Sequence, residues 1–137
     1  MPLTSAASGA LRRSSWCNIR SMSCIELDDT SVLKIAEPMM DDIMAGVARR
    51  DYKTHSNHYS VVLKSVIGPD QFLTACDQRE SQWGLPGARE LVAIFRKEKS
   101  FTVIWDQHFD RTEGQVVAIT TVALKGGRYF VDHFALV

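Results

Sequence analysis

The chain has 137 residues, a length typical of one domain and sufficient to bury a single core. Its 16 basic residues balance 16 acidic residues, so no net charge favours nucleic acid or an anionic membrane as a partner, and we expect neither. No apolar run is long enough to span a bilayer. Three cysteines form neither a CxxC motif nor an even set, which favours a reduced, cytoplasmic location.

Residues 1–25 differ from the rest of the chain. They are rich in Ser and Ala, contain Arg12, Arg13 and Arg20, and contain no acidic residue. This composition suits an organellar transit peptide or a disordered tail, and Met22 is a plausible alternative start. We predict a flexible tail over residues 1–25, followed by one domain over residues 26–137.

The first predicted helix follows Thr30, where apolar residues begin to recur at helical spacing. Its apolar stripe comprises Val32, Ala36, Met39, Ile43 and Val47. The pattern ends near Arg50. Pro38 has no amide donor and would crowd the carbonyl of Lys34, so we expect the helix to begin near Glu37 or to kink there.

A second helix is predicted after Asp51, which suits a helix N-cap. The residues on one side of this helix are Tyr52, His55, Ser56, Tyr59 and Leu63. His55 lies within that stripe, whereas His58 falls at its edge toward solvent. Because no acidic or sulfur ligand accompanies the two histidines locally, packing explains them better than a metal site does. No phosphate-binding glycine loop is present either, and we predict no metal and no cofactor.

A third helix is predicted between Pro69, which fits a first helical position, and the helix stop Gly84. Its stripe comprises Phe72, Leu73, Cys76, Arg79 and Trp83. The period then changes to two in four strand-like runs, "RELVAIFRKE", "FTVIWDQHFD", "QVVAITTVAL" and "RYFVDHFAL". Short turns separate the runs, which predicts antiparallel hairpins. The expected fold class is α+β, with three N-terminal helices packed on a curved four-stranded antiparallel sheet.

The predicted strands are apolar on both faces. In the second strand, Phe101, Val103, Trp105 and Phe109 face one way, and Thr102, Ile104, Asp106 and His108 face the other. In the last strand, strict alternation places Asp132 and His133 on opposite faces. A sheet face this apolar is unusual on a soluble monomer when it is exposed, so we expect a second copy of the chain to cover it.

The order of helices and strands resembles the nuclear transport factor 2-like superfamily of the cystatin-like fold, especially its small members of unknown function. The resemblance covers residues 35–136 and rests on "ARRDYKTHSNHYS", "LKSVIGPDQFL" and the closing "GGRYFVDHFALV". It implies a homodimer formed through the sheet and a cone-shaped cavity between the sheet and the helices. Some members of this superfamily are isomerases, dehydratases or epoxide hydrolases, and many are binding domains without chemistry.

Two functions are therefore expected as alternatives. The first is a non-catalytic homodimeric domain with an apolar cavity for a small molecule, lined by Tyr52, Tyr59, Phe72, Trp83, Phe101, Trp105 and Thr120. The second is a small isomerase, dehydratase or hydrolase acting on an apolar substrate in the same cavity. Its candidate catalytic residues are Asp106, His108, His133 and Tyr59. Convergence of two or more of these side chains in one enclosed cavity would favour the enzyme.

Overall fold

The computed structural model describes residues 23–137. Its helices are α1 (Asp29–Arg49), α2 (Tyr52–His55), α3 (Val61–Val66) and α4 (Pro69–Trp83). Its strands are β1 (Pro86–Arg96), β2 (Ser100–Phe109), β3 (Val116–Lys125) and β4 (Arg128–Leu136). The strands form one antiparallel sheet in the order β1-β2-β3-β4. The predicted α+β class and the meander of four hairpin-connected strands are confirmed.

Helix α1 begins at Asp29, so the first of the two predicted alternatives, a start near Glu37, is wrong. The carboxylate of Asp28 accepts a hydrogen bond from the Ser31 amide at 2.8 Å and caps the helix, which then continues through Pro38. The buried apolar stripe of α1 stabilises this longer helix despite the hydrogen bond that Pro38 cannot donate. The predicted end is confirmed, since Arg50 adopts a left-handed conformation with φ 57° and donates its amide to the last turn.

The prediction of one continuous helix after Asp51 is wrong, because the chain forms the two short helices α2 and α3 there. Between them, the Ser56 hydroxyl donates to the carbonyl of Tyr52, and the Ser60 hydroxyl accepts from the Leu63 amide and caps α3. Tyr59 lies in this break and forms an isolated bridge with Val131 of β4. The break therefore ties the segment to the sheet. As a result, residues 23–85 contain four α-helices and a short 3-10 helix (Cys24–Glu26) before the strands, where three helices were expected.

One face of the sheet, here called the helix-facing face, is buried against the helices. It carries Phe101, Val103, Trp105, Ala118, Thr120, Val122 and Val131, together with Gln107. The opposite, outer face carries the other alternate residues of β2 and β3, which are partly buried or exposed except for the buried Ala123.

A bulge in β4 corrects the predicted faces of that strand. Thr121 pairs with His133 and Val122 with Val131, so Asp132 is the extra residue. After the bulge, Phe134 and Leu136 are buried on the helix-facing side, and His133 is exposed on the outer face. The carboxylate of Asp132 accepts a hydrogen bond from the Ser60 hydroxyl at 2.7 Å and lies 3.0 Å from Lys125 Nζ. The strict alternation assumed from the sequence fails at this point.

The start of the chain is described only from Ser23, so the prediction for residues 1–22 lies outside the described residues. The last part of the predicted tail is packed, because Cys24 has 0% exposure and its amide donates to the Glu98 carbonyl at 2.8 Å. Cys24 is thus part of the packed core, whereas Ile25 is exposed. Within the described part of the chain, no helix combines the length and apolar character needed to cross a membrane.

Candidate functional site

Five rings meet where α2, α4 and β4 converge, and we call this group the His55 cluster. Its members are Tyr52, His55, Tyr59, Phe72 and Phe134. The ring centroid of His55 lies 4.4 Å from that of Phe72, 5.3 Å from that of Tyr59 and 5.8 Å from that of Phe134. The imidazole therefore forms the centre of an aromatic environment, as the apolar stripe predicts.

His55 is held as a neutral imidazole. Its Nδ1 lies 2.9 Å from the carbonyl oxygen of Ile43 in α1, and because a carbonyl only accepts, Nδ1 carries the proton and donates. Burial lowers the pKa of His55 to about 4, because the protonated ring would lose its hydration in this position. His58 lies elsewhere, with its Nε2 2.8 Å from a carboxylate oxygen of Asp42. The two histidines do not converge on one point.

Tyr59 has a buried hydroxyl without a hydrogen-bond partner among the described residues. The side chain is almost completely buried, and burial raises the pKa of the phenol well above its ordinary value. The neighbouring Tyr52 differs, because its hydroxyl donates to the carbonyl of Ile67 at 2.6 Å. An unpartnered buried hydroxyl is unfavourable, and in native proteins such groups need an explanation.

Arg79 reaches the same region from α4. Phe72, Cys76 and Arg79 follow at spacings of four and three residues, so they share one helix face. Arg79 is partly buried, and no hydrogen bond or ion pair is formed by its guanidinium within residues 23–137. It lies within electrostatic range of Tyr59, Cys76 and His55, and burial lowers the pKa of Arg79.

The other partly buried arginines of the described chain have carboxylate partners. Arg89 contacts Glu37 and Asp41, with its Nη2 2.5 and 2.8 Å from the carboxylate oxygens, and Arg96 is paired with Asp29. Residues 1–22 contain no Asp or Glu, so they supply no carboxylate to Arg79 either. Arg79 was identified in the sequence only as a member of an apolar stripe, and an arginine in such a stripe is the signal that could have singled it out.

The remaining residues predicted to line a cavity lie at separate places in the interior. Trp83 packs on Phe109 with ring centroids 5.3 Å apart, and Phe101 packs on Tyr129 at 6.2 Å. The Arg89 guanidinium lies 5.5 Å from the ring centroid of Trp105. Thr120 donates its hydroxyl hydrogen to the sulfur of Met40 in α1 at 3.0 Å. All four predicted residues lie on the helical side of the sheet, and their role as cavity lining stays a prediction.

The predicted pair Asp106 and His108 lies on the outer face, beside Glu90 of β1. One ligand atom from each of these three residues lies within 4.8 Å of the others, and we call them the outer-face cluster. His108 Nε2 is 3.6 Å from Glu90 Oε1, and Gln115 donates to the carboxylate of Asp106 at 2.8 Å. A concavity of about 220 Å³ adjoins Asp106. Carboxylate and imidazole groups are capable of binding a divalent cation, although exposed groups of this kind are common without one.

The four candidate catalytic residues do not converge. Asp106 and His133 share the outer face, but Asp106 pairs with Val117, whereas His133 pairs with Thr121 further along β3. Four residues of strand separate those pairing positions, or about 13 Å at 3.3 Å per residue. Tyr59 lies on the helical side of the sheet. The only close neighbours among the candidates are therefore Asp106 and His108, which lie beside Glu90, a residue the sequence did not indicate.

Comparison with known proteins gives little further information. No protein-family model and no curated protein sequence matches this chain. One similar solved structure is the solution structure of a SEC-C motif containing protein from Rhodopseudomonas palustris. The two sequences are 12% identical, the match covers 85% of this chain and 99% of the other, and the TM-score is 0.47. Similarity at this level assigns neither a family nor a function.

Proposed function

We propose that this chain is a non-catalytic homodimeric domain that binds a small apolar molecule on the helical side of its sheet. The observation that carries the proposal is the separation of the candidate catalytic groups: Asp106, His108 and His133 lie on the outer face, and Tyr59 lies on the helical side. An acid/base mechanism in an enclosed cavity needs its groups within reach of one substrate. Of the four candidates only Asp106 and His108 are neighbours, and His108 is 53% exposed on the outer face.

The outer face supports the homodimer part of the proposal. An apolar surface runs across its strands, formed by Val92, Phe95, Ile104, Val117, Ile119 and Ala135. Phe95 is 60% exposed, and no described residue covers it. Covering this surface with a second copy would remove apolar area from water, which is the main favourable term in most protein associations.

The helical side supports the ligand part of the proposal. The His55 cluster presents aromatic rings, and α1 contributes the buried methionines Met39, Met40 and Met44, whose flexible side chains adapt to irregular shapes. The order of helices and strands is compatible with a nuclear transport factor 2-like cone, and we retain that assignment and a cytoplasmic location as part of the proposal. A small isomerase, dehydratase or hydrolase is the second candidate function, favoured only by the proximity of Glu90, Asp106 and His108.

Replacing Phe95 with Lys tests the dimer. Light scattering at micromolar concentration should give about twice the 15.4 kDa chain mass for the unchanged protein and the mass of one chain for Phe95→Lys, because a buried charge opposes association. Val62→Lys is the matched control: Val62 is 58% exposed but belongs to α3 and not to the strands that form the outer face, so this variant should remain a dimer. A monomeric unchanged protein, or dissociation by both variants, would contradict the proposed interface.

A further inference from the structure

We propose that a reciprocal contact fixes the two outer faces of the homodimer: the Arg128 side chain of one copy enters a concavity beside Asp106 of the second copy, and Arg128 of the second copy does the same in return. This inference rests on the proposed homodimer and specifies the contacts that orient its two sheets. It requires no ligand.

The concavity on the outer face suits a long basic side chain. Its volume is about 220 Å³, and its lining residues are Val92, Ile104, Trp105, Asp106, Gln115 and Val117. Four of these six residues are apolar, and Asp106 is the only charged one. An apolar wall beside one carboxylate accommodates an aliphatic stem that ends in a cation, which is the character of Lys and Arg.

Asp106 has no Lys or Arg partner within residues 23–137. Its carboxylate accepts a hydrogen bond from the neutral side-chain amide of Gln115 at 2.8 Å. Glu90, the Cα partner of Asp106 on β1, adds a second carboxylate, and only the imidazole of His108 lies near it, at 3.6 Å. The concavity therefore adjoins a negative part of the outer face.

Arg128 is the basic group that matches this charge. It is exposed at the start of β4, its guanidinium lies 5.4 Å from the ring centroid of Phe130, and it forms no ion pair with a carboxylate of the described residues. Residues 1–22 contain no Asp or Glu. The neighbouring Lys125 differs, because its ammonium is 3.0 Å from the carboxylate of Asp132. Arg128 thus presents an unpaired positive charge to a partner.

Asp106 and Arg128 lie at opposite ends of the outer face. They share this face because their Cα partners on β3, Val117 and Lys125, are eight residues apart and side chains alternate along a strand. The two positions are separated by about 26 Å along the strands and by about 10 Å across the two strand spacings from β2 to β4. The line that joins them is therefore inclined by about 20° to the strands.

A two-fold axis between the outer faces brings these positions together. When the axis passes over Thr121, midway between the two positions, it places Arg128 of each copy opposite Asp106 of the other. The strands of the two sheets then cross at twice the inclination, or about 40°, close to the roughly 30° at which aligned sheets pack. In this arrangement each carboxylate faces a basic side chain and not another carboxylate, which favours one register of the dimer over others.

Charge reversal at either position tests the contact. Light scattering over a range of micromolar concentrations should show dimerisation that is at least about tenfold weaker for Arg128→Glu, and for Asp106→Lys, than for the unchanged protein. Each substitution places like charges together at both contacts of the dimer. Lys53→Glu is the matched control, because it makes the same change of charge at an exposed residue of α2 and should leave the affinity within about twofold.

The decisive measurement is made on an equimolar mixture of Arg128→Glu and Asp106→Lys. In a mixed dimer, the introduced carboxylate faces the introduced ammonium, and the unchanged Arg128 of one chain faces the unchanged Asp106 of the other. The mixture should therefore recover the affinity of the unchanged protein to within about threefold, at concentrations where each variant alone has the mass of one chain.

The outcomes separate failure of this inference from failure of the proposed function. If the unchanged protein is a dimer and the two variants dissociate no more than Lys53→Glu, the contact is wrong and the homodimer stands. If both variants dissociate but their mixture does not recover, Arg128 and Asp106 do not face each other and the inference is overturned. If the unchanged protein is a monomer, the proposed homodimer and the inference both fail.

Discussion

Polar side chains on the two faces of the sheet differ in burial and in their hydrogen-bond partners. On the outer face, Glu90, Asp106 and His108 are close to one another and keep much of their contact with water. On the helical side, the polar groups are few and deeply buried, and the Tyr59 hydroxyl and the Gln107 carbonyl oxygen have no partner among the described residues. An unpartnered buried group costs free energy, whereas an exposed group does not, so a binding group is better sought where a partner is missing than where polar residues are numerous.

The largest effect is expected for Gly46→Ala, which tests how tightly the His55 cluster is fixed to α1. A Cβ at this position would lie 2.6 Å from the Cα and the backbone nitrogen of His55 and closer still to its Cβ. Backbone atoms cannot move aside cheaply, so we expect the free energy of unfolding to fall by about 3 kcal/mol in urea titrations.

The sign of that change is decisive, because Ala in place of Gly in a helix interior would otherwise stabilise by about 1 kcal/mol. Gly114→Ala is the control, since a Cβ there meets nothing within 4 Å. It should change stability by less than about 1 kcal/mol. If Gly46→Ala were as stable as the unchanged protein, α1 and α2 would not be packed as described.

A smaller effect, confined to a pH window, is expected at His55. Its folded-state pKa of about 4 lies below the 6.5 of an exposed histidine, so between these values the unfolded chain binds more protons. The free energy of unfolding should therefore fall as the pH decreases from 6.5 to 4, by up to about 3 kcal/mol at 1.36 kcal/mol per pKa unit. His55→Phe should remove this slope.

The control for the pH experiment is His133→Gln, because His133 is exposed on the outer face. This variant should keep the full slope between pH 6.5 and pH 4, as followed by urea unfolding at several pH values. A slope that survives in His55→Phe would show that the imidazole is not held neutral by burial.

Local periodicity predicts much of this fold, and tertiary contacts decide the rest. The stripe of α1 and the alternation in β2 and β3 follow directly from burial on one side of a regular element. The break between α2 and α3 was not predictable in the same way, because Tyr59 and Leu63 continue the stripe of Tyr52 in phase across it. Serine hydroxyls and the bridge from Tyr59 to Val131 end the helix there instead.

The candidate site was less predictable for a similar reason. The position of Arg79 in an apolar stripe indicates that its side chain points inward. Whether a carboxylate lies beside it depends on how α4 packs against the other elements, and the sequence does not give that packing. Likewise, the bulge at Asp132 moves the residues that follow it in β4 to the opposite face from the one that strict alternation predicts. The proximity of Glu90 to His108 depends on the register between β1 and β2. Sequence spacing gives no information on partners across strands.

The smallest effect is expected on the outer face, for Glu90→Gln. Glu90 and His108 are 74% and 53% exposed, so their pairing is weak, and removing one of two carboxylates that oppose each other across β1 and β2 relieves repulsion. We expect a change in the free energy of unfolding of less than about 0.5 kcal/mol.

Added Zn²⁺ at 100 micromolar, on the order of a weak exposed site's dissociation constant, should shift the melting temperature by less than about 2 °C in the unchanged protein and in Glu90→Gln. A shift of several degrees in the unchanged protein that is lost in Glu90→Gln and in His108→Ala would instead establish a metal site on the outer face. That result would reverse the comparison, because the exposed cluster, and not the buried one, would then carry the stronger binding site.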